Sequence, residues 1–308
     1  MNAPGRFCPA RYRYGAAALA TAAEVRAETV YVVGGLYGNL PALDAIEAMA
    51  AAELGPVTLF FNGDFNWFDV APGQFAALNR RVLAHRAIQG NVEAELGPDG
   101  GAAGCGCAYP EDVDDATVER SNLIHARLRQ TAAGFPEITA ALAVLPMYAG
   151  VRIGGQRLGI VHGDAESLAG WGFDRAALDD PLRADWLACC FRDADVEIFA
   201  SSHTCLPACR SFEIDGRRRA VINNGAAGMP NFRGDRRGII SRIGLSPSPH
   251  PPLHSLRVGR LFVDALGVAY DHETWIEQFL AQWPPGSSAH TSYFARLLDG
   301  TSCSREPR

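Results

Sequence analysis

The chain contains no lysine; its 28 basic residues are all arginine, in 308 residues. Schiff-base catalysis, covalent attachment of pyridoxal phosphate and a Walker-type phosphate loop each need a lysine amine, so all three are excluded. Any phosphate contact must come from arginine, backbone amides or a metal. Long apolar runs are missing too. No stretch reaches the ~18 residues a spanning helix requires. The opening segment sets Arg6, Arg11 and Arg13 before a short alanine stretch, without the longer apolar core of a signal peptide. Residues 1–28 therefore read as an arm and a helix, and the cytoplasm is the expected compartment. There the eight cysteines are expected to be reduced. They show no C-x-x-C spacing, which argues against a separate zinc or iron–sulfur cluster. A net charge of −6 argues against a general nucleic-acid or anionic-membrane binder and leaves open only a local arginine patch.

What remains is the composition of an ordinary globular protein, 48% hydrophobic and 20% charged, long enough for one sizeable core. Short apolar strands alternate with helical patterns. Strands are expected at Thr29–Val33, 57–62, 86–89, 147–153, Gln156–Val161 and 196–200. Further strands are expected at 211–214, 219–222, 255–263 and 268–271. Helices are expected at 41–54, 75–85, Asp115–Ala132, Pro136–Ala143, 178–191 and 273–282. Gly154-Gly155 predicts a hairpin. Five strands stop at small polar signatures: GGLYGN, NGD, QGN, VHGD and SSHT. In α/β folds function collects at such strand ends.

Asp64, Asn91, His162 and His203 each follow a buried strand. One carboxylate, one amide oxygen and two imidazoles suit Mn, Fe or Zn. Singly, each has a plainer reading: Asp64 as a turn or capping residue, Asn91 as a turn former, either histidine as a satisfied core residue. In order, the motifs Gly63-Asp64, Gly90-Asn91-Val92-Glu93, His162-Gly163 and His203-Thr204-Cys205 resemble those of the calcineurin-like metallophosphoesterases, as does the closing VINNGAAGM of 221–229. The resemblance spans roughly residues 30–245. It implies an α/β sandwich of two mixed sheets packed face to face and flanked by helices. It also implies hydrolysis of a small phosphomonoester or phosphodiester by a metal-activated water.

This chain departs from the family pattern in one place above all. The family's first motif, S-D-x-H-G-N-x-x-A-L, reads here Gly34-Gly35-Leu36-Tyr37-Gly38-Asn39-Leu40-Pro41-Ala42-Leu43. Its aspartate is Gly35 and its histidine Tyr37; the histidine of G-N-H-D is Val92, and the last histidine of G-H-x-H is Cys205. The resemblance thus leaves one metal with four ligands, Asp64, Asn91, His162 and His203. A second metal keeps only Asp64, with Cys205 and Tyr37 as candidate substitutes. The plainer reading of Tyr37 is a pocket wall filling the space of the lost histidine, and that of Cys205 a small core residue.

Glu93 is expected to orient a neighbour or accept a proton, with a solvated surface residue as its plainer reading, and Asn39, Arg233 and Arg236 to contact substrate phosphate. For the two arginines an exposed solvated cluster is the plainer reading. The Gly-, Cys- and Asp-rich segment at about 97–115 reads as an insertion able to fold over the site, where Cys105 or Cys107 would restore the lost ligands. Residues 29–245 would form the main domain and 246–308 a strand–helix extension packed on it. Within that extension, 253–300 is expected to act as a dimer element or a lid. Two other functions stay open: an inactive relative that binds a metal, nucleotide or protein, and a redox or soft-metal role built on the cysteines. A dinucleotide-binding loop at Gly34–Gly38 is disfavoured because the G-x-G-x-x-G spacing is not met.

Overall fold

The computed structural model describes residues 3–98 and 100–304. Residues 1–2 of the expected arm, 99 of the insertion and 305–308 of the extension lie outside the described residues. The strands in chain order are β1 (Glu24–Ala27), β2 (Thr29–Val33), β3 (Val57–Phe61), β4 (Arg86–Ala87), β5 (Tyr148–Ile153) and β6 (Gln156–Val161). They continue with β7 (Ile198–Ser201), β8 (Pro207–Ile214), β9 (Arg217–Asn224), β10 (Gly238–Gly244), β11 (Pro252–Val258) and β12 (Leu261–Val268). The helices are α1 (Ala17–Ala20), α2 (Leu40–Ala51), α3 (Pro72–Val82), α4 (Asn91–Leu96) and α5 (Asp115–Ala132). They are followed by α6 (Pro136–Ala143), α7 (Arg175–Asp179), α8 (Ala184–Ala194), α9 (His272–Gln282) and α10 (Ser288–Asp299).

Two mixed six-stranded sheets result, ordered β1-β5-β6-β7-β9-β8 and β11-β12-β10-β2-β3-β4. The sequence of β2, TVYVV, shows why they stack. All five residues are buried, as expected for a strand covered on both faces. Val30 and Val32 enter the layer between the sheets with Phe60, Ile160, Ile198 and Ile222. Tyr31 and Val33 face the opposite way, into the core shared with helices α2, α3, α5 and α9. On the far side of the first sheet, Leu187, Cys190 and Phe191 of α8 pack on Phe199 and Val221.

The parallel run β2-β3-β4 and the parallel pair β6-β7 deliver five loops to one place where the sheets meet. Close backbone approach holds that place together. A Cβ on Gly34 would lie 2.2 Å from the Ser202 Cβ, so only glycine lets the end of β2 meet the end of β7. Asn224, closing β9, donates to the carbonyls of Gly34 and Ile239, each at 2.9 Å, and ties the first sheet to the second.

The structure corrects several expectations. The alanine stretch makes one short helical turn, and the chain then adds β1 parallel to β5. Helix 178–191 is broken at Pro181, whose missing amide cannot continue an α-helix, into α7, a short 3-10 turn and α8. Residues 255–263 are not one strand: Gly259-Arg260 is a turn between β11 and β12. Strand β10 and helices α4 and α10 have no counterpart in the sequence reading. Among the described residues no helix is long and apolar enough to cross a membrane.

Candidate metal centre

Asp64 directly follows Gly63 in a tight turn and is itself in the left-handed region at φ 52°, which points its carboxyl toward α4. Asn91 opens α4, behind Gly90 as N-cap. His162 follows β6, and His203 follows β7. Each sheet therefore contributes two of the four residues, and all four are buried.

The hydrogen bonds fix which atoms face inward. The Nδ1–H of His162 donates to the Asn62 carbonyl at 2.9 Å, leaving Nε2 as the lone-pair nitrogen. The Nε2–H of His203 donates to the Cys107 carbonyl at 3.1 Å, leaving Nδ1 as the lone-pair nitrogen. Asn91 gives its Nδ2 to the Cys105 carbonyl at 2.8 Å, so Oδ1 turns in. The inward atoms then crowd together. His162 Nε2 lies 3.1 Å from His203 Nδ1, 3.0 Å from Asn91 Oδ1 and 3.4 Å from Asp64 Oδ2. One ligand atom each from Asp64, His162 and His203 falls within 4.8 Å of the other two. Four acceptors around one point, with no donor among them, repel unless a cation or proton lies between them. The carbonyl partners on the outer ring nitrogens are those that orient metal-ligating imidazoles. The donor set fits a metal ion.

The electrostatics agree. Burial opposes charge on His162, but the adjacent Asp64 carboxylate outweighs it and raises the pKa. Burial, followed by repulsion from His162, drives the pKa of His203 down to about 3, so this ring stays neutral and able to ligate.

Glu93 lies behind the site rather than in it. Its two oxygens accept from the backbone amides of Asp64 (2.8 Å), Gly90 (2.9 Å) and Asn66 (3.1 Å) and from Asn66 Nδ2 (3.1 Å). It brackets the two loops that carry Asp64 and Asn91. Asn39 is occupied too: its Oδ1 caps α2 and its Nδ2 donates to the Gly228 carbonyl, so both atoms expected to meet substrate are spent on the backbone. Asp164, of the HGD ending, accepts from three amides of the 166–172 turn. Arg233 and Arg236 are exposed and outside the cavity.

The first motif has been filled rather than rebuilt. A Cβ on Gly35 would lie 2.7 Å from the Tyr37 ring, so that ring stands where an aspartate at 35 would project. The Tyr37 hydroxyl contacts Cys205 Sγ at 2.7 Å, and Phe68 packs against the ring. Burial pushes both the phenol and the thiol up in pKa, which disfavours the phenolate and thiolate a metal would want. The 97–115 segment does fold over the site, but through carbonyls. Cys105 and Cys107 hold Asn91 and His203 with backbone oxygens, while burial raises the pKa of the Cys107 thiol. The N-terminal arm clamps this segment in turn: Gly5 pairs with Ala103 and Tyr109, and Arg6 donates to the carbonyls of Pro110 and Val113.

In front of the donors is a cavity of about 160 Å³, lined by Asp64, Asn91 and His203, by the aromatic rings of Trp67, Tyr109, Trp171 and Tyr293, and by Arg296. A larger cavity of about 430 Å³ between α7–α8 and β8 gathers no comparable donor set, and its Arg192 is paired with Asp215. Arg296 and Tyr293, both from α10, are site residues that the sequence reading missed, as are Trp67, Tyr109 and Trp171.

The loop after β3 also holds a testable titration. Asp69 is fully buried; burial raises its pKa to about 7, while the Trp67 amide donates to Oδ1 and Oδ2 has no partner among the described residues. An acid with a raised folded pKa binds more protons folded than unfolded. Its contribution is complete below the unfolded value near 3.9 and is lost as pH rises through about 7. Wild type should therefore lose roughly 2–4 kcal/mol between pH 4 and pH 8 that Asp69→Asn does not lose. Urea unfolding of both proteins across that range measures the difference.

No family model matches the sequence, and neither does any curated protein. Solved structures do match. A hypothetical protein from Pyrococcus horikoshii superposes with a TM-score of 0.60 at 16% identity, over 91% of this chain and 100% of that one. A metallophosphoesterase from Sphaerobacter thermophilus superposes with a TM-score of 0.54 at 18% identity, over 89% of this chain and 100% of that one. The chain has the calcineurin-like metallophosphoesterase fold. Within that fold the buried Asp64, His162 and His203 form a group able to hold a metal ion.

Proposed function

We propose that the protein is a metal-dependent phosphoesterase that uses one metal, bound by Asp64, Asn91, His162 and His203, to hydrolyse a small phosphomonoester or phosphodiester. The observation that carries this reading is the convergence of four acceptor atoms whose tautomers and amide orientation are fixed from outside by the carbonyls of Asn62, Cys105 and Cys107. When bound, a transition metal supplies positive charge that acidifies water and polarises a phosphoryl oxygen. The chain's own residues set the conditions for that chemistry. Asp64 brings a buried carboxylate, and Glu93 holds its loop against Gly90. Trp67, Trp171 and Tyr293 narrow the approach and exclude bulk water, which strengthens every charge interaction inside. A cavity of about 160 Å³ suits a phosphoryl group and a short leaving group rather than a polymer.

The second reading is an inactive relative that retains the metal for binding alone. The observation favouring it is the Tyr37 ring over Gly35, which removes the space for one half of a two-metal site. Metal analysis of the purified protein, with Mn²⁺-supplemented hydrolysis of p-nitrophenyl phosphate and its bis-ester, separates the readings. We expect one equivalent of metal and measurable turnover. One equivalent without turnover supports the inactive relative, and no metal with no turnover removes the enzyme reading.

A further inference from the structure

The cavity contains a cation that no motif announces. Arg296 projects from α10, one turn beyond Tyr293, into the same space as Asp64, Asn91 and His203. It is held firmly. Its Nη2 donates to the Cys205 carbonyl at 2.9 Å and to Asn231 Oδ1 at 3.5 Å, and its Nε donates to the Pro230 carbonyl at 3.1 Å. These partners are neutral. Among the described residues no carboxylate pairs with Arg296, whereas the buried Arg242 is paired with Glu53 and Asp264. Its Nη1 makes no hydrogen bond among the described residues. A half-buried guanidinium with neutral tethers and an unengaged nitrogen is an incomplete anion site.

Its position adds to this. Arg296 is tied to the backbone of Cys205, whose thiol meets the Tyr37 hydroxyl, and the Tyr37 ring overlies Gly35. The guanidinium thus stands on the side of the cavity where the first motif has lost its acid and its imidazole.

We propose that Arg296 supplies the second positive charge of this site, binding the oxygens of a phosphoryl group whose other oxygens face the position enclosed by Asp64, Asn91, His162 and His203. This rests on the phosphoesterase reading above and adds to it a fixed arginine in place of a second ion. Arginine suits the task because its charge does not titrate and its planar fork matches phosphate oxygens. It also explains how a chain without lysine and with an emptied first motif can hold a phosphate dianion.

The test uses the full chain and inorganic phosphate, with Mn²⁺ and phosphate titrated separately by calorimetry into wild type, Arg296→Gln and Arg296→Lys. Arg296→Gln should keep Mn²⁺ affinity within about threefold and lose phosphate affinity by at least about tenfold, the scale of a charged hydrogen-bonding group. Arg296→Lys should recover part of the loss, because it keeps the charge without the fork. Thermal unfolding checks the lost tethers to Cys205 and Pro230. Should Arg296→Gln fail to fold, a several-fold phosphate deficit in Arg296→Lys carries the same conclusion. Unchanged phosphate affinity overturns the proposal, as does no phosphate binding by wild type. A parallel loss of Mn²⁺ and phosphate affinity also overturns it, by assigning Arg296 to the architecture. If wild type binds phosphate but not Mn²⁺, the metal-dependent reading fails instead, and Arg296 is judged by the same comparison on the metal-free protein.

Discussion

Replacing His203 with alanine is expected to lower Mn²⁺ affinity by at least about a hundredfold, and to remove whatever Mn²⁺-dependent hydrolysis the wild type shows. Loss of an outer-sphere partner alone typically costs 10–100-fold in metal affinity, and here a donor atom itself goes. His203 Nδ1 is one of only four inward atoms, so the remaining three cannot complete a tetrahedral set. The substitution also strands the Cys107 carbonyl, which accepts the ring Nε2–H at 3.1 Å. That oxygen keeps the Trp171 indole as a donor at 3.1 Å, so the stability cost should stay near 1–2 kcal/mol plus the lost packing. Calorimetric Mn²⁺ titration beside thermal unfolding distinguishes loss of the ion from loss of the fold. Near-native affinity in a folded variant would place the ion elsewhere.

The pair Gly35 and Tyr37 should behave as a unit. Gly35→Asp alone is expected to destabilise the protein by roughly 2–4 kcal/mol. Two causes add: the backbone is left-handed at φ +63°, and the new Cβ would meet the Tyr37 ring at 2.7 Å. The ring cannot swing away freely, since Cys205 and Phe68 hold it. Tyr37→His alone should cost a further ~2 kcal/mol, by opening a cavity in a buried position. The double variant should cost less than the sum by at least about 1 kcal/mol, because the smaller ring makes room for the carboxylate. It should also raise bound Mn²⁺ from one equivalent toward two. Denaturant unfolding of the four proteins gives the coupling, and metal analysis gives the stoichiometry. Strict additivity with unchanged stoichiometry would show that the ring does not occupy the lost position.

These substitutions could be chosen because the donor loops were legible in the sequence. Asp64, Asn91, His162 and His203 were identified from the polar endings of short buried strands, and the structure brings all four together. Strands such as TVYVV announce themselves because both their faces are covered, which demands continuous β-branched and aromatic residues. Local capping chemistry made α5 equally clear: the Asp114 side chain accepts from the Thr117 amide at the start of Asp115–Ala132.

The elements that escaped did so for physical reasons. Strand β10 carries Arg242 at its centre, which contradicts a central strand until Glu53 and Asp264 are seen closing on it from sequence-distant elements. For Glu93 the sequence left orienting a neighbour and accepting a proton both open, because its four amide donors come from loops whose approach no spacing reveals. Asn39 stood within a motif, yet its capping role depends on where α2 starts, the kind of boundary that sequence locates poorly. Arg296 carried no signal at all. The helix that bears it was not read from the sequence either, and nothing local says that its Tyr293–Arg296 edge meets loops from two sheets.

The seating of β2 bears on when the site can form during synthesis. This strand lies between β3, which soon follows it, and β10, which emerges only after all four donors have been made. Until β10 arrives, β2 has one open edge, and the sheet that presents Asp64 and Asn91 is incomplete against the sheet that presents His162 and His203. Such distant pairing closes late and slowly. A nascent chain therefore holds all four residues well before it holds the geometry that brings them together.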